Sequence, residues 1–282
     1  MSTPDPPVSS VVTVERRGHT AVVWLDRPEK LNAMAPDFWV DLPAVVSALG
    51  ADPEVRVLVV AGRGGAFTVG IDLAAFGPAF AAGGVGETPS GSGVAERMAF
   101  YHQVKRMQRT FSSLAECPKP VIAAVHGFCL GAGVDLITAC DIRLAAADAV
   151  FSVRETRIAM VADVGTLQRL PAIVNPGRVA EVVYTGRDFT AEEARDMGLV
   201  SHVFPDVETL HDAALAMAGA IAANSPLAVQ GAKAVLGAGE TRAVADRLDY
   251  VALWNAAFLH SNDLAEAMMA FVERRPAHFE GR

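Results

Sequence analysis

Twice in this chain a short, almost unbroken apolar run passes straight into glycine and then into a helix-forming stretch. Residues 55–61 end on Gly62-Arg63-Gly64-Gly65, and residues 121–125 run into His126-Gly127, with Gly131 and Gly133 just beyond. A run of that kind fits a parallel strand buried on both faces. Parallel neighbours need crossover connections, usually helices, so the two junctions point to an α/β fold.

The remaining pattern fills in that architecture. Residues 11–15 and 21–25 read as strands around the turn Arg17-Gly18-His19. Pro36 suits the first turn of a helix running to about Leu49, with Gly50 at its end. Residues 95–115 read as a helix, ended by Pro118 and Pro120 before the strand 121–125. A helix begins near Val134, and residues 142–145 and 150–152 read as strands. After Asp163 the chain is mostly helical. Thr190-Ala191-Glu192-Glu193 forms a capping box, Gly198 ends its helix, and residues 199–204 make a last strand. Residues 207–224, 226–236, 242–259 and 263–275 read as helices. The expected division is a flexible N-terminus at 1–10, an α/β core at 11–205 and a helical region at 206–282. The Gly-, Ala-, Pro- and Ser-rich stretch 77–93 reads as a mobile loop within the core.

Composition narrows the function. The net charge is −8, with no run of Lys or Arg, which argues against a nucleic-acid surface. Any anionic ligand must then be held by local donors. No apolar run is long enough to span a bilayer. The three cysteines lack CxxC spacing and read as reduced, partly buried thiols. The seven histidines form no HExxH pair, so no metal site is expected. Residues 1–10 lack a signal-peptide core, and Phe279-Glu280-Gly281-Arg282 is no peroxisomal or lipidation signal. The cytoplasm is the default expectation.

On the glycines alone, three readings of the junctions stay open. They are ordinary tight turns at sheet edges. They are a dinucleotide fingerprint, although Leu136 stands where the third glycine belongs. Or they form an oxyanion hole, one N–H from each turn aimed at a single acyl oxygen, each donor being worth about 3–4 kcal/mol.

Several ordered segments together resemble one family. Ala66-Phe67-Thr68-Val69-Gly70-Ile71-Asp72-Leu73 is similar to the first oxyanion segment of the crotonases, the enoyl-CoA hydratase/isomerase family. Pro120-Val121-Ile122-Ala123-Ala124-Val125-His126-Gly127, with Gly131-Ala132-Gly133-Val134-Asp135-Leu136, resembles the second. Arg27-Pro28-Glu29-Lys30-Leu31-Asn32-Ala33, Ala139-Cys140-Asp141-Ile142-Arg143, Gly165-Thr166-Leu167-Gln168-Arg169-Leu170-Pro171 and Phe271-Val272-Glu273-Arg274-Arg275 extend the match. The resemblance implies a crotonase-like spiral of ββα units, with a helical C-terminal region that makes a homotrimer or a hexamer. It implies an acyl-CoA thioester as ligand, with coenzyme A as part of the substrate and no separate cofactor. The oxyanion donors would be the N–H groups of Ile71 and Ala132, the latter in place of the usual glycine. Lys30, Leu31, Val69, Gly70, Ile71, Asp72, Leu73 and Ala132 would line the coenzyme-A channel, and Arg274 and Arg275 would help with phosphates.

Carboxylates decide the chemistry. Hydratases of the family use two glutamates, at positions matching Asp135 and Glu155. Here the first is shortened, and a third acid, Asp163, follows in Ala162-Asp163-Val164-Gly165. The set Asp135, Glu155 and Asp163 looks like that of the family's Δ3,5-Δ2,4-dienoyl-CoA isomerases, which act in acyl-CoA degradation. The resemblance implies Glu155 at C2 and Asp163 at C6 of a 3,5-dienoyl thioester, with Asp135 tuning the site. Alternatives are an enoyl-CoA hydratase using Asp135 and Glu155 on water, and a non-catalytic acyl-CoA-binding protein. Each acid also has a plain structural reading. Asp135 would be a surface acid at a helix start, Glu155 half of an ion pair with Arg154 or Arg157, and Asp163 a helix N-cap.

Overall fold

The computed structural model describes residues 9–76, 93–237 and 240–278. Its strands are β1 (Val12–Arg17), β2 (Thr20–Leu25), β3 (Val57–Gly62), β4 (Val121–Val125), β5 (Phe128–Leu130), β6 (Ile142–Ala146), β7 (Val150–Ser152), β8 (Phe189–Thr190) and β9 (His202–Phe204). β1 and β2 are antiparallel around Gly18, whose φ is 59°. From β2 onward the main sheet is parallel, in the order β1-β2-β3-β4-β6-β9. A small sheet, β5-β7-β8, stands beside it.

The apolar runs are explained by burial on both faces. Val23, Leu58, Val60, Ala123 and Val125 pack toward α1 (Phe38–Ala51) and α2 (Val94–Glu116). Their alternates Val22, Trp24, Val57, Val59 and Ile122 pack with Leu210, Ala214 and Ala218 of a helix at Val207–Ala222. That helix therefore covers the second face of the sheet.

The other helices are α3 (Ala132–Thr138), α4 (Thr166–Ile173), α5 (Pro176–Thr185), α6 (Ala191–Asp196), then α7 (Val207–Ala222), α8 (Pro226–Leu236), α9 (Glu240–Phe258) and α10 (Asn262–Glu273). Single 3-10 turns lie at Pro28–Lys30 and Glu155–Ile158. The capping box is present: Glu193 N donates to Thr190 Oγ1 at 3.2 Å, and Thr190 N to Glu193 Oε2 at 3.0 Å.

Some boundaries differ from the sequence reading. α1 begins at Phe38, not Pro36, and continues through Gly50. Its last carbonyls are satisfied from outside. The buried Lys119 ammonium donates to Leu49 O at 2.8 Å and also to Asp52 O, so no left-handed glycine is needed to close the helix. The last strand is only His202–Phe204, and β5 and β8 are too short for a periodicity to register. Cys117, Cys129 and Cys140 are free and buried, and burial raises all three thiol pKa values, Cys140 to about 12.

Candidate active site

The two glycine junctions meet. Leaving β3, the chain folds back and pairs Thr68 with Cys129 of β5: Thr68 N donates to Phe128 O at 2.8 Å, and Leu130 N to Thr68 O at 3.1 Å. Gly70 then adopts φ 86°, a region that glycine alone enters freely. A Cβ on Gly70 would lie 2.7 Å from Leu130 O and 3.3 Å from Ala132 N. Glycine is thus what allows the first turn to rest on the second.

That contact brings two amides into one neighbourhood. Gly70 N donates to Thr68 Oγ1 and Asp72 N to Met34 O, while Gly131 N donates to Ser152 O and Val134 N to Gly131 O. Among the described residues no hydrogen bond engages the amide of Ile71, between the first pair, or that of Ala132, which follows Gly131. Ile71, Ala132, Glu155 and Asp163 line one cavity of about 920 Å³. Two free N–H groups on a cavity wall can stabilise an oxyanion. The extra methyl of Ala132 costs no donor.

The three acids converge behind and along the same wall. Asp135, in the first turn of α3, is fully buried, and Oδ1 accepts from Thr166 N at 2.5 Å, at the start of α4. Oδ2 has no partner among the described residues. Burial raises its pKa, and the Thr166 amide opposes the rise. Arg169 is its charge partner in the core. Its guanidinium donates to Ser112 Oγ at 3.0 Å and passes so close over Gly165 that a Cβ there would meet Nη1.

Glu155 begins its 3-10 turn beside the second junction. A Cβ on Gly131 would lie 3.4 Å from Glu155 Oε1. Its Oε2 is buried without a partner among the described residues. Burial, then the charges of Asp135 and Asp163, push its pKa far up. Arg154 and Arg157 do not pair with it; both reach Asp188, at 2.8 and 3.8 Å. Asp163 faces the cavity from the segment before α4, whose N-cap is Gly165. Burial first, then Asp135, raise Asp163 to about 7, against a donor from Asn255. Among the described residues the three plain structural readings therefore fail: Asp135 is not at the surface, Glu155 pairs with no arginine, and Asp163 caps no helix.

Of the proposed channel residues, Lys30, Val69, Gly70, Ile71, Asp72, Leu73 and Ala132 line the cavity. Leu31 does not. It sits at φ 49° with its side chain outward, and its carbonyl accepts from Val69 N at 3.1 Å, supporting the channel from behind. Asp72 is held by Arg27 at 3.1 Å. Arg275 lines the mouth, paired with Glu266 and Glu273, whereas Arg274 ends α10 and lies outside the lining. Phe100, Val104 and Met107 of α2 contribute an apolar wall, with Trp39 of α1, and Gln103 adds an amide beside them. Residues 77–92 of the expected mobile loop lie outside the described residues.

The enoyl-CoA hydratase/isomerase family model matches residues 15–282. The chain belongs to this family, the crotonases. Over 275 residues it is 43% identical to human Delta(3,5)-Delta(2,4)-dienoyl-CoA isomerase, mitochondrial, covering 96% of this chain and 82% of the relative. The peroxisomal Delta(3,5)-Delta(2,4)-dienoyl-CoA isomerase of Arabidopsis thaliana is also 43% identical, with 90% of each chain covered. An enoyl-CoA hydratase/isomerase from Mycobacterium paratuberculosis superposes with a TM-score of 0.81 at 26% identity, covering 93% of this crotonase and 98% of that chain. The fold is the crotonase α/β fold with C-terminal helices, and the protein is an enzyme of crotonase type.

The relatives correct one expectation. The cytoplasmic default gives way, since the similar isomerases are mitochondrial or peroxisomal. That default rested on terminal residues alone. A sorting signal is read by its receptor and leaves the packed catalytic body unchanged.

Sequence reasoning also passed over the residues that hold this crotonase's acids in place. Asn255 of α9 is 1% exposed and donates from Nδ2 to Asp163 Oδ2 at 2.7 Å. Gln108 of α2 donates from Nε2 to Asp163 O and to Leu248 O, both at 2.8 Å. The available signal was a polar residue in a buried stripe: Asn255 stands among Leu248, Val251, Ala252, Ala256 and Leu259.

Proposed function

We propose that this crotonase isomerises 3,5-dienoyl-CoA to 2,4-dienoyl-CoA in acyl-CoA degradation. The observation that carries the reading is Asp163. It lines the same cavity as Glu155, in a chain that resembles dienoyl-CoA isomerases over nearly its whole length. Hydration of a 2-enoyl thioester engages C2 and C3 and has no need of an acid at C6.

The proposed chemistry moves one proton in and one out. The thioester oxygen accepts from Ile71 N and Ala132 N, which places C2 beside Glu155, next to Gly131. The Glu155 carboxylate takes the C2 proton, and the C2–H electrons become the C2=C3 bond. The old C3=C4 pair becomes C4=C5. The old C5=C6 pair takes a proton from Asp163 at C6. The 2,4-diene results, with Glu155 protonated and Asp163 ionised. Burial and the charge of Asp135 raise Glu155 above the ordinary carboxylate range and make it a stronger base than an exposed glutamate. Asp135 lies behind the wall and acts as a charge that keeps Glu155 basic. Lys30 and Arg275 at the mouth would meet coenzyme-A phosphates.

The test offers the purified protein 3,5-octadienoyl-CoA and crotonyl-CoA separately. A conjugated 2,4-dienoyl absorbance supports the reading, and in D2O a single turnover places deuterium at C6. Consumption of crotonyl-CoA without dienoyl activity replaces it with the hydratase. Binding of both without conversion replaces it with the non-catalytic reading. Asp163→Asn should lower kcat at least a hundredfold with the fold intact.

We also propose assembly as a homotrimer or a hexamer. The C-terminal helices leave Leu253, Phe271, Val272 and Leu227 exposed, as an unassembled surface would. Light scattering at three or six times 29.6 kDa checks it.

A further inference from the structure

Asp163 is held by a side chain from the far end of the chain. The Asn255 amide has two hydrogens on Nδ2, and both are committed: one to Val161 O at 2.8 Å, the other to Asp163 Oδ2 at 2.7 Å. The Val161 carbonyl can only accept, so the amide orientation is settled and the group facing Asp163 is a donor. Tying α9 to this segment would need the Val161 bond alone. The second bond goes to the carboxylate.

We propose that Asn255 is a positioning residue that pins Oδ2 of Asp163, so that this acid exchanges protons with substrate through Oδ1. An oxygen that already accepts an N–H is the poorer site for a proton. Among the described residues no hydrogen bond takes Oδ1, and Asp163 lines the cavity. Gln108 fixes the backbone of the same residue, so carboxyl and main chain are anchored from α9 and α2 at once. Among the described residues Glu155 has no such donor on Oε2. The two cavity acids are thereby made unequal: only Asp163 is braced by a side-chain amide. The titratable groups facing Asp163 are Asp135 from α3 and Glu155 from its 3-10 turn, both acidic; Arg169 of α4 faces Asp135. Asn255 is the donor that offsets these two negative neighbours.

This inference rests on the isomerase reading for its consequence in turnover, but not for its test. Carbon-13 NMR of labelled aspartate carboxyls reads Asp163 without substrate, the resonance being identified by its loss in Asp163→Asn. In Asn255→Leu the Asp163 midpoint should rise by about one pH unit, the size expected for losing one hydrogen bond to a carboxylate. Asn255→Gln keeps an amide on a longer arm and should return part of that shift. Asn255→Ser, whose hydroxyl is too short to reach, should behave as Leu does and serves if the Leu variant does not fold. With dienoyl-CoA, kcat should fall about tenfold to a hundredfold with KM within about twofold. The limb of the kcat profile that reports Asp163 should move to higher pH. A folded Leu or Ser variant whose Asp163 midpoint stays at the wild-type value overturns the proposal. Should the wild type prove inactive on dienoyl-CoA, the NMR midpoint still decides it.

Discussion

The two ends of the cavity are built in opposite ways. The amide end is main chain: Ile71 and Ala132 sit on two glycine turns that follow β3 and β4, and their contact is fixed by Gly70 against Leu130 and Ala132. The acid end is side chain: Asp163 is aimed by Asn255, 92 positions away, and by Gln108, 55 positions away. The amide end inherits the rigidity of the sheet. The acid end depends on two helices keeping their places. Backbone donors cannot be mutated away, whereas a carboxylate and its braces can, so reaction type can vary at one end while thioester capture persists at the other.

The largest expected effect separates the ends outright. Glu155→Gln should lower kcat by about a thousandfold or more and leave thioester affinity nearly unchanged, measured by dienoyl absorbance and by titration calorimetry. Equal losses in both would mean that the acid also builds the binding end. Gly70→Ala attacks the amide end instead. Its φ of 86° and a Cβ 2.7 Å from Leu130 O force the turns apart. Affinity and kcat should then both drop, by about tenfold to a hundredfold, with about 1–3 kcal/mol of stability lost in a urea titration. Asp135→Asn removes the charge behind the wall. Glu155 should become less basic, so its limb of the kcat profile moves to lower pH, with kcat down about tenfold.

The smallest effect is on stability. Glu155 and Asp163 bind protons more tightly folded than unfolded, so their contribution is fully present below the unfolded carboxylate pKa near 4 and is lost as pH rises through about 7 and beyond. Glu155→Gln should therefore melt a few degrees above wild type at pH 8, with little difference at pH 4.5. A gap that widened toward acid would reverse the sign and remove the burial argument.

This contrast also explains what could be read from the amino acids. The buried strands, the capping box at Thr190 and the two glycine turns each occupy a few contiguous residues, so local pattern sufficed. The three acids could be singled out because they lie in segments that resemble the family's, and the structure gathers them around one cavity. Their geometry was not legible. That Asp135 would receive the start of α4 while Asp163 capped nothing depends on how α3, α4 and α9 pack, and no spacing along the chain encodes it. The end of α1 was misread for the same reason, because its capping group, Lys119, arrives from the next crossover. Asn255 looked like one more polar residue in an amphipathic helix until its buried neighbours were known.

The sealed cysteines have a bearing on a thioester substrate. Cys129 pairs with Thr68 at the back of the amide end, and any thiolate there would be an acyl acceptor competing with the intended chemistry. Fully buried and kept protonated, it offers no nucleophile, and Cys117 and Cys140 are equally withdrawn. Transfer of an acyl group onto these three cysteines is therefore closed off by packing.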